Sequence, residues 1–231
     1  MVKACRNSGV PLWRRPFSIH HVTPDGGITL LFKVVGKGSK FMSDLHKGEF
    51  LNLLGPLGKG FTLPGVPTSV CIVGGGMGIA PLFYLANQLL HNVVKPKKIQ
   101  LFMGATTANE MSVLAKDFAN LGLPVSVATD DGTAGHHGLV TDLLGQLTLD
   151  EEWSVYSCGP HPMMKTVARY CLDKNWSCQV SLETLMACGI SACLGCAIRS
   201  SRQGGNSLQI EPYLHVCKEG PVFEAGEVAW E

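Results

Sequence analysis

Residues 70–81 of this 231-residue chain have the sequence VCIVGGGMGIAP, and they indicate its architecture more clearly than any other stretch. A short apolar run enters a glycine loop and continues into a helix, with Pro81 in the first turn, where a backbone N–H is not needed. Such a loop lets the phosphates of a dinucleotide approach the backbone at the positive end of a helix. We therefore predict a nucleotide-binding strand, loop and helix, with Gly74, Gly76 and Gly78 at the phosphates.

The loop departs from the usual dinucleotide fingerprint in two ways. Ile79 stands where G-x-G-x-x-G requires its third glycine, and no acidic residue suited to the ribose is obvious about 20 residues later. A tight turn between a strand and a helix, without a ligand, therefore stays open as an alternative.

Around this stretch the sequence alternates between strands and helices. Apolar strands are predicted at 70–73, 99–103, 125–129 and 153–157. Apolar residues recur at i, i+3, i+4, i+7 and i+8 in three intervening segments, which predicts amphipathic helices over 82–90, 111–119 and 164–172. Strands and helices in alternation predict a doubly wound parallel sheet.

The flanking regions have a different rhythm. The first ~65 residues hold short apolar runs, Ile28–Val35 and Phe50–Leu54, between Gly and Pro turns, which is typical of antiparallel β structure in a barrel. After about Val180 the sequence becomes rich in Gly, Ser and Cys and predicts a small third module. We thus predict a multidomain β plus α/β protein with a partial antiparallel β-barrel at 1–66, the doubly wound sheet at 67–180 and the small module at 181–231.

Four of the nine cysteines lie in that last module. Cys188, Cys193 and Cys196 follow the spacing C-x4-C-x2-C, and Cys217 comes 21 residues later. This is the plant-type ferredoxin arrangement for a [2Fe-2S] cluster, in which small residues let backbone N–H groups approach the sulfurs. A structural zinc site is the main rival, although zinc modules usually present two close pairs of ligands, and buried apolar cysteines are the other alternative.

Two further segments carry residues suited to redox cofactors. The loop 156–162 also lies between a strand and a helix, so Cys158 could meet a nicotinamide ring, or it is only a small residue in a turn. His161 in the same loop is interpreted as a surface or capping residue. Residues 14–19 (RRPFSI), called the flavin segment below, combine a guanidinium, an aromatic ring and a hydroxyl, which suit the phosphate, ring and nitrogens of a flavin.

The order of these motifs resembles that of a known family. RPFS (15–18), GPLGKGF (55–61), GGGMGIAPL (74–82) and CGP (158–160) are similar to the ferredoxin–NADP reductase family over most of the chain. The tail, with MACGI (186–190), CLGC (193–196) and VCKEGPVF (216–223), resembles the electron transfer subunits of B-type dihydroorotate dehydrogenases.

That resemblance implies cofactors and a partner. It implies NAD at the second domain and FAD on the barrel, contacted by Arg15, Pro16, Phe17, Ser18, Leu31, Phe32, Lys33, Gly38 and Ser39, the last two in a phosphate-side loop. It also implies a catalytic partner subunit that carries FMN and oxidises dihydroorotate to orotate in pyrimidine (UMP) biosynthesis, assembled as a heterotetramer of two of each subunit. On this hypothesis electrons pass from the partner's FMN through the cluster and FAD to NAD+, and dihydroorotate is not oxidised on this chain.

Two alternative functions stay open at this point. One is the flavin and [2Fe-2S] subunit of an electron-bifurcating NADH-dependent ferredoxin:NADP+ oxidoreductase or of a sulfide dehydrogenase, which share the three-part layout. The other is a zinc-binding regulator that senses NAD(H) without catalysis. Family members carry roughly 35–40 more residues before the position of Met1, so we expect an incomplete barrel with an open edge that weakens flavin retention.

The overall composition favours a globular protein that acts on small molecules or proteins. Hydrophobic residues make up 45% of the chain, charged residues 16%, and the net charge is +1, which offers no basic stripe for nucleic acid. Residues 61–94 contain no Asp, Glu, Lys or Arg, but the glycines in their middle argue against a membrane span. Without a recognisable signal peptide, a cytoplasmic location is expected.

Overall fold

The computed structural model describes residues 1–3, 13–201 and 213–230. The N-terminal part contains only short strands: β1 (Val2–Lys3) pairs antiparallel with β4 (Asn52–Leu53), and β2 (His21–Val22) with β3 (Ile28–Thr29). A short helix, α1, spans Lys37–Ser43. Within the described residues these pairs do not close into a barrel. The short apolar runs predicted at 28–35 and 50–54 thus each contain one two-residue strand.

The centre of the molecule is a seven-stranded sheet with the order β13-β10-β9-β5-β6-β7-β8. Its members are β5 (Ser69–Gly75), β6 (Lys98–Ala105), β7 (Val125–Thr129), β8 (His136–His137), β9 (Trp153–Cys158), β10 (Ser177–Ser181) and β13 (Val222–Glu224). All neighbours are parallel except β13, which runs antiparallel to β10. Every residue of β5 is buried, as the continuous apolar run of a central parallel strand requires. The predicted doubly wound sheet is confirmed.

Helices cover both faces of this sheet. Helix α2 (Ile79–His91) packs with α3 (Ala108–Leu114) in one apolar core, and α4 (His161–Asp173) packs in a second core on the other face. The helix predicted over 111–119 is shorter than expected, because α3 ends at Leu114 and a 3-10 turn follows at Phe118–Leu121. Phe118 is nevertheless buried, like Met111 and Leu114, whereas Ala119 at the end of the predicted pattern is exposed. Another 3-10 segment spans Val140–Gln146.

The C-terminal cysteine region packs directly against the sheet. Strands β11 (Ala197–Arg199) and β12 (Tyr213–His215) form an antiparallel pair, and β13 extends the main sheet beside β10. Cys196, Val216 and Cys217 belong to the same apolar core as α4 and β9. The boundaries predicted at 66 and 180 stay predictions, but this shared core places the cysteines against the nucleotide domain.

Among the described residues, no helix has both the length and the apolar character that crossing a bilayer requires. The uncharged stretch at 61–94 folds instead into the buried strand β5, the glycine turn and helix α2.

Candidate cluster and nucleotide sites

The loop from Cys188 to Cys196 curls around one of its own sulfur atoms. Three of its residues have left-handed backbone conformations: Gly189 at φ 72°, Ser191 at φ 61° and Leu194 at φ 58°. The curl turns backbone N–H groups toward the Cys188 sulfur, which accepts hydrogen bonds from Ile190 at 3.5 Å, Ala192 at 3.3 Å and Cys193 at 3.4 Å.

These N–H groups favour the ionised form of Cys188. The bond from Ile190, followed by the backbone and side-chain bonds from Cys193, lowers the pKa of the thiol from 9.0 to about 6. A thiolate is the form of cysteine that binds metals. The loop therefore holds Cys188 in the form that a metal requires.

The four predicted ligands come together as two pairs. The sulfurs of Cys196 and Cys217 lie 3.3 Å apart in the buried core, and Cys217 also accepts a bond from the Ser191 N–H at 3.2 Å. Cys188 and Cys193 form the second pair, and a hydrogen bond joins their thiol groups. Cys193 is exposed.

Two pairs suit a cluster of two metals better than a single ion. A [2Fe-2S] cluster has two ligands on each iron, whereas a structural zinc ion takes four ligands around one centre. The pairing of Cys188 with Cys193 and of Cys196 with Cys217 therefore fits the cluster.

The glycine loop lies where the sheet reverses its winding. The chain runs outward from β5 through β6, β7 and β8, and returns to the other side of β5 with β9 and β10. Ligands of open α/β sheets bind beyond the carboxyl ends of the strands at such a reversal. Gly76 lies there at φ 52°, with open space where a side chain would begin, which leaves room for a phosphate.

The missing third glycine has a structural explanation. In the usual fingerprint that glycine allows the helix to pack closely on the strand. Here a Cβ on Gly74 would lie 2.8 Å from the Ile79 and Leu82 side chains, so Gly74 provides the close packing from the strand side. Ile79 itself is fully buried in the core between α2 and the sheet.

Cys158 is the last residue of β9, and it pairs with Gly74 at the start of the glycine loop. Burial, with a smaller contribution from the Glu183 carboxylate, raises the pKa of the Cys158 thiol to about 12, while a bond to Ser181 opposes the rise. Cys158 is therefore a neutral thiol in the folded protein. Sequence reasoning did not identify Glu183, because only the strand pairing of Ser181 with Cys158 brings it close.

Buried thiols should make the folded state less stable at alkaline pH. Burial raises the pKa of Cys71 as well as that of Cys158, and a bond to Cys171 together with burial raises that of Cys178. A raised pKa in the folded state stabilises it fully below the unfolded value of 9.0, and this contribution is lost as the pH rises toward the folded value. Each such thiol should lower the free energy of unfolding by up to about 1.4 kcal/mol per pH unit in this window.

The measurement is urea unfolding of the reduced chain from pH 8 to pH 11. In the Cys158→Ala variant the free energy of unfolding should fall less steeply with pH than in the unmodified chain, because one titrating thiol is gone. Equal slopes would contradict the buried, neutral state of Cys158.

The flavin segment lies on the N-terminal part. Arg15 and Pro16 are exposed, while Phe17 and Ser18 are half-buried, and the Phe17 ring meets Phe32 edge-on with 5.7 Å between centroids. Leu31 packs against the core that contains α2. The exposed side chain of Lys33 pairs with Glu110 of α3 at 3.4 Å.

Gly38 and Ser39 lie in the first turn of α1 and not in an open loop. The Ser39 hydroxyl accepts bonds from the N–H groups of Val35 at 2.9 Å and Gly36 at 3.1 Å. These residues were predicted on the phosphate side of the flavin, and in the structure the Ser39 hydroxyl caps this turn. Their contact with the flavin stays a prediction.

Comparison with known proteins agrees with this geometry. Residues 183–229 match the family described as "Iron-sulfur cluster binding domain of dihydroorotate dehydrogenase B", and residues 72–169 match "Oxidoreductase NAD-binding domain". A solved structure described as an NADH-dependent reduced ferredoxin-NADP oxidoreductase is 27% identical, with a TM-score of 0.79 over 99% of this chain and 78% of that one. A ferredoxin reductase of carbazole 1,9a-dioxygenase, 24% identical with a TM-score of 0.59 over 76% of this chain and 55% of that one, shares the fold.

Curated relatives cover nearly the whole chain. "Dihydroorotate dehydrogenase B (NAD(+)), electron transfer subunit" from Desulforamulus reducens is 38% identical over 98% of this chain and 84% of its own length. The protein of the same name from Caldanaerobacter subterraneus is 41% identical over 95% of this chain and 82% of its own length. The chain therefore belongs to the family of electron transfer subunits of dihydroorotate dehydrogenase B.

Proposed function

We propose that this chain is the electron transfer subunit of an NAD-dependent dihydroorotate dehydrogenase. It passes electrons from the FMN of a catalytic subunit, through a [2Fe-2S] cluster and FAD, to NAD+. Dihydroorotate is oxidised on the catalytic subunit, in the pathway to UMP. The observation that carries this proposal is the pairing of four thiols, two of which, Cys196 and Cys217, lie in a core shared with the nucleotide-binding sheet.

The residues present fit the three groups. The curled loop supplies N–H donors to the sulfurs, and the open space at Gly76 accommodates the phosphates of NAD. Phe17 and Ser18 are half-buried beside the exposed Arg15, an arrangement that suits the ring and phosphate of FAD. When bound, NAD exchanges a hydride, FAD one or two electrons and the cluster a single electron.

The chain's own residues contribute placement and electrostatics. The N–H groups of Ile190, Ala192 and Cys193 direct partial positive charge at the Cys188 sulfur, and such bonds tune the potential of a cluster. Cys158 remains an uncharged thiol at the nicotinamide side of the reversal, so it shapes this site without acting as a nucleophile.

The cluster loop also offers an apolar surface to a partner. Leu185 is 91% exposed, Ile190 60% and Leu194 56%, and all three flank the exposed Cys193 or its loop. Clustered exposed aliphatic side chains are typical of interaction sites. We propose that this surface meets the FMN-containing catalytic subunit in a cytoplasmic heterotetramer of two of each, which places one end of the electron path at the interface.

Anaerobic titration with NADH tests the proposal. Purified protein, expressed with its catalytic partner, should show separate flavin and cluster absorbance, and NADH should bleach both. Dihydroorotate should bleach them only when the partner is present. A folded, colourless chain that contains zinc and no iron would refute the proposal, and copurification with a subunit that does not oxidise dihydroorotate would favour the bifurcating oxidoreductase instead.

A further inference from the structure

We propose, building on the function above, that His20 is a positioning residue that fixes the flavin segment against the nucleotide domain. His20 directly follows the flavin segment, two residues after Ser18. Its side chain is buried and lies at the junction of the N-terminal part, helix α2 and the turn after α3.

Both ring nitrogens of His20 contact the nucleotide domain. Nδ1 lies 2.8 Å from the carbonyl oxygen of Ala80, in the first turn of α2 directly after the glycine loop. Nε2 lies 2.9 Å from the Asp117 carboxylate, which is half-exposed. One side chain therefore joins the flavin segment to the helix behind the NAD phosphates and to a second point of the same domain.

The partners determine what the ring must do. A backbone carbonyl only accepts hydrogen bonds, so Nδ1 donates to Ala80. Nε2 forms the second hydrogen bond, with the Asp117 carboxylate. With both nitrogens hydrogen-bonded, the ring is held at two points and cannot rotate without breaking a bond.

Packing fixes the plane of the ring as well. The imidazole stacks on Phe83 of α2 with 4.7 Å between centroids and 21° between planes. Phe83 in turn meets Phe118 edge-on at 5.2 Å. An apolar residue of similar size would keep this stack, so the two hydrogen bonds are what distinguish a histidine here from an ordinary core ring.

A second, exposed contact ties the same two regions together. Lys33, on the N-terminal part, pairs with Glu110 of α3, whose carboxylate also accepts the Thr106 N–H at 3.1 Å beyond the end of β6. Surface pairs of this kind contribute little by themselves. The buried contacts of His20 are therefore the stronger constraint on where the flavin lies relative to NAD.

Hydride transfer depends on that placement, because a displacement of about 1 Å can cost on the order of a hundredfold in rate. The substitution His20→Phe keeps the ring stack and removes both hydrogen bonds. We expect the rate of flavin reduction by NADH to fall by roughly a hundredfold. The KM for NADH should change by less than about threefold, because the groups that bind NADH are untouched.

Two conservative variants separate the contacts. In His20→Asn the side-chain amide lies near the position of Nδ1 and can donate to Ala80. In His20→Gln the longer side chain places the amide near the position of Nε2, where it can donate to Asp117. We expect the Asn variant to reduce flavin faster than the Gln variant, because only the Ala80 contact adjoins the glycine loop. The control is His46→Asn, at an exposed histidine of the same N-terminal part, and this variant should react like the unmodified protein.

The measurements are stopped-flow absorbance at the flavin band, flavin and iron content, and nitrogen-15 NMR of the histidine rings. The NMR spectrum of the unmodified chain should show a proton on Nδ1 of His20, the nitrogen that faces the Ala80 carbonyl oxygen. Flavin reduction in His20→Phe within about threefold of the unmodified rate would overturn the proposal, as would an Nδ1 without a proton.

If His20→Phe does not fold, equal rates for the Asn and Gln variants would overturn it. A lower melting temperature with an unchanged reduction rate would indicate a purely structural residue and would also overturn it. If the unmodified protein binds no flavin, the proposed function fails, whereas the NMR signature still reports the His20 contacts.

Discussion

The variant Cys217→Ala should contain almost no iron and should no longer pass electrons from the catalytic subunit to NAD+. Cys217 lies 3.3 Å from Cys196 and is buried, so no water or other thiol can easily take its place on the metal. Losing an outer-sphere partner of a metal ligand costs about 10–100-fold in affinity or activity, and losing a ligand itself should exceed that range. Reduction of the flavin by NADH should persist, because the flavin segment lies on the N-terminal part.

The matched control is Cys178→Ala. Cys178 is buried in the same apolar core as Cys217. Both substitutions remove one sulfur atom from that core, and each should lower the free energy of unfolding by roughly 1 kcal/mol. Iron analysis and low-temperature electron paramagnetic resonance should show a full cluster in this control. Equal iron in both variants would show that Cys217 is not a ligand.

The variant Gly78→Ala should weaken NADH binding more than any other single methyl group added to the glycine loop. A Cβ at residue 78 would lie 2.4 Å from the Cys158 carbonyl oxygen and 2.4 Å from both N and Cα of Gly159. All three atoms are backbone, so the two loops that flank the reversal of the sheet must separate. We expect the KM for NADH to rise at least about tenfold and the free energy of unfolding to fall by about 1–3 kcal/mol.

Gly145→Ala is the control for this experiment, because a Cβ there meets no atom within 4 Å. Steady-state oxidation of NADH with an artificial electron acceptor gives the KM, and urea unfolding gives the stability. A Gly78→Ala protein that binds NADH as tightly as Gly145→Ala would contradict the placement of the nucleotide beside these two loops.

Much of the architecture could be predicted because the sheet is wound from local units. The apolar run before Gly74 and the helical spacing after it sufficed to predict β5 and α2, and the same reasoning located α4. The cysteine spacing predicted a cluster, and the structure adds that the four sulfurs form two pairs. The apolar runs of the N-terminal part indicated antiparallel β structure but not the extent of its strands, because strand length depends on pairing partners that a single sequence does not reveal.

The contacts between distant segments could not be predicted. His20 and Asp117 are 97 residues apart in the chain, and neither belongs to a motif. Glu183 approaches Cys158 only because β10 pairs in parallel with β9, and the register of that pairing is a property of the folded sheet. A close approach of this kind follows from topology and leaves no periodic trace in the sequence.

The antiparallel strand β13 has a consequence for biogenesis. It follows the other six strands of the sheet in the chain, so the edge of β10 is unpaired until β13 has been synthesised. An unpaired edge can recruit strands from other chains. Cys217 lies only five residues before β13, so insertion of the metal would tether the new strand close to that edge. Iron supply and protection from aggregation would thereby be coupled during synthesis.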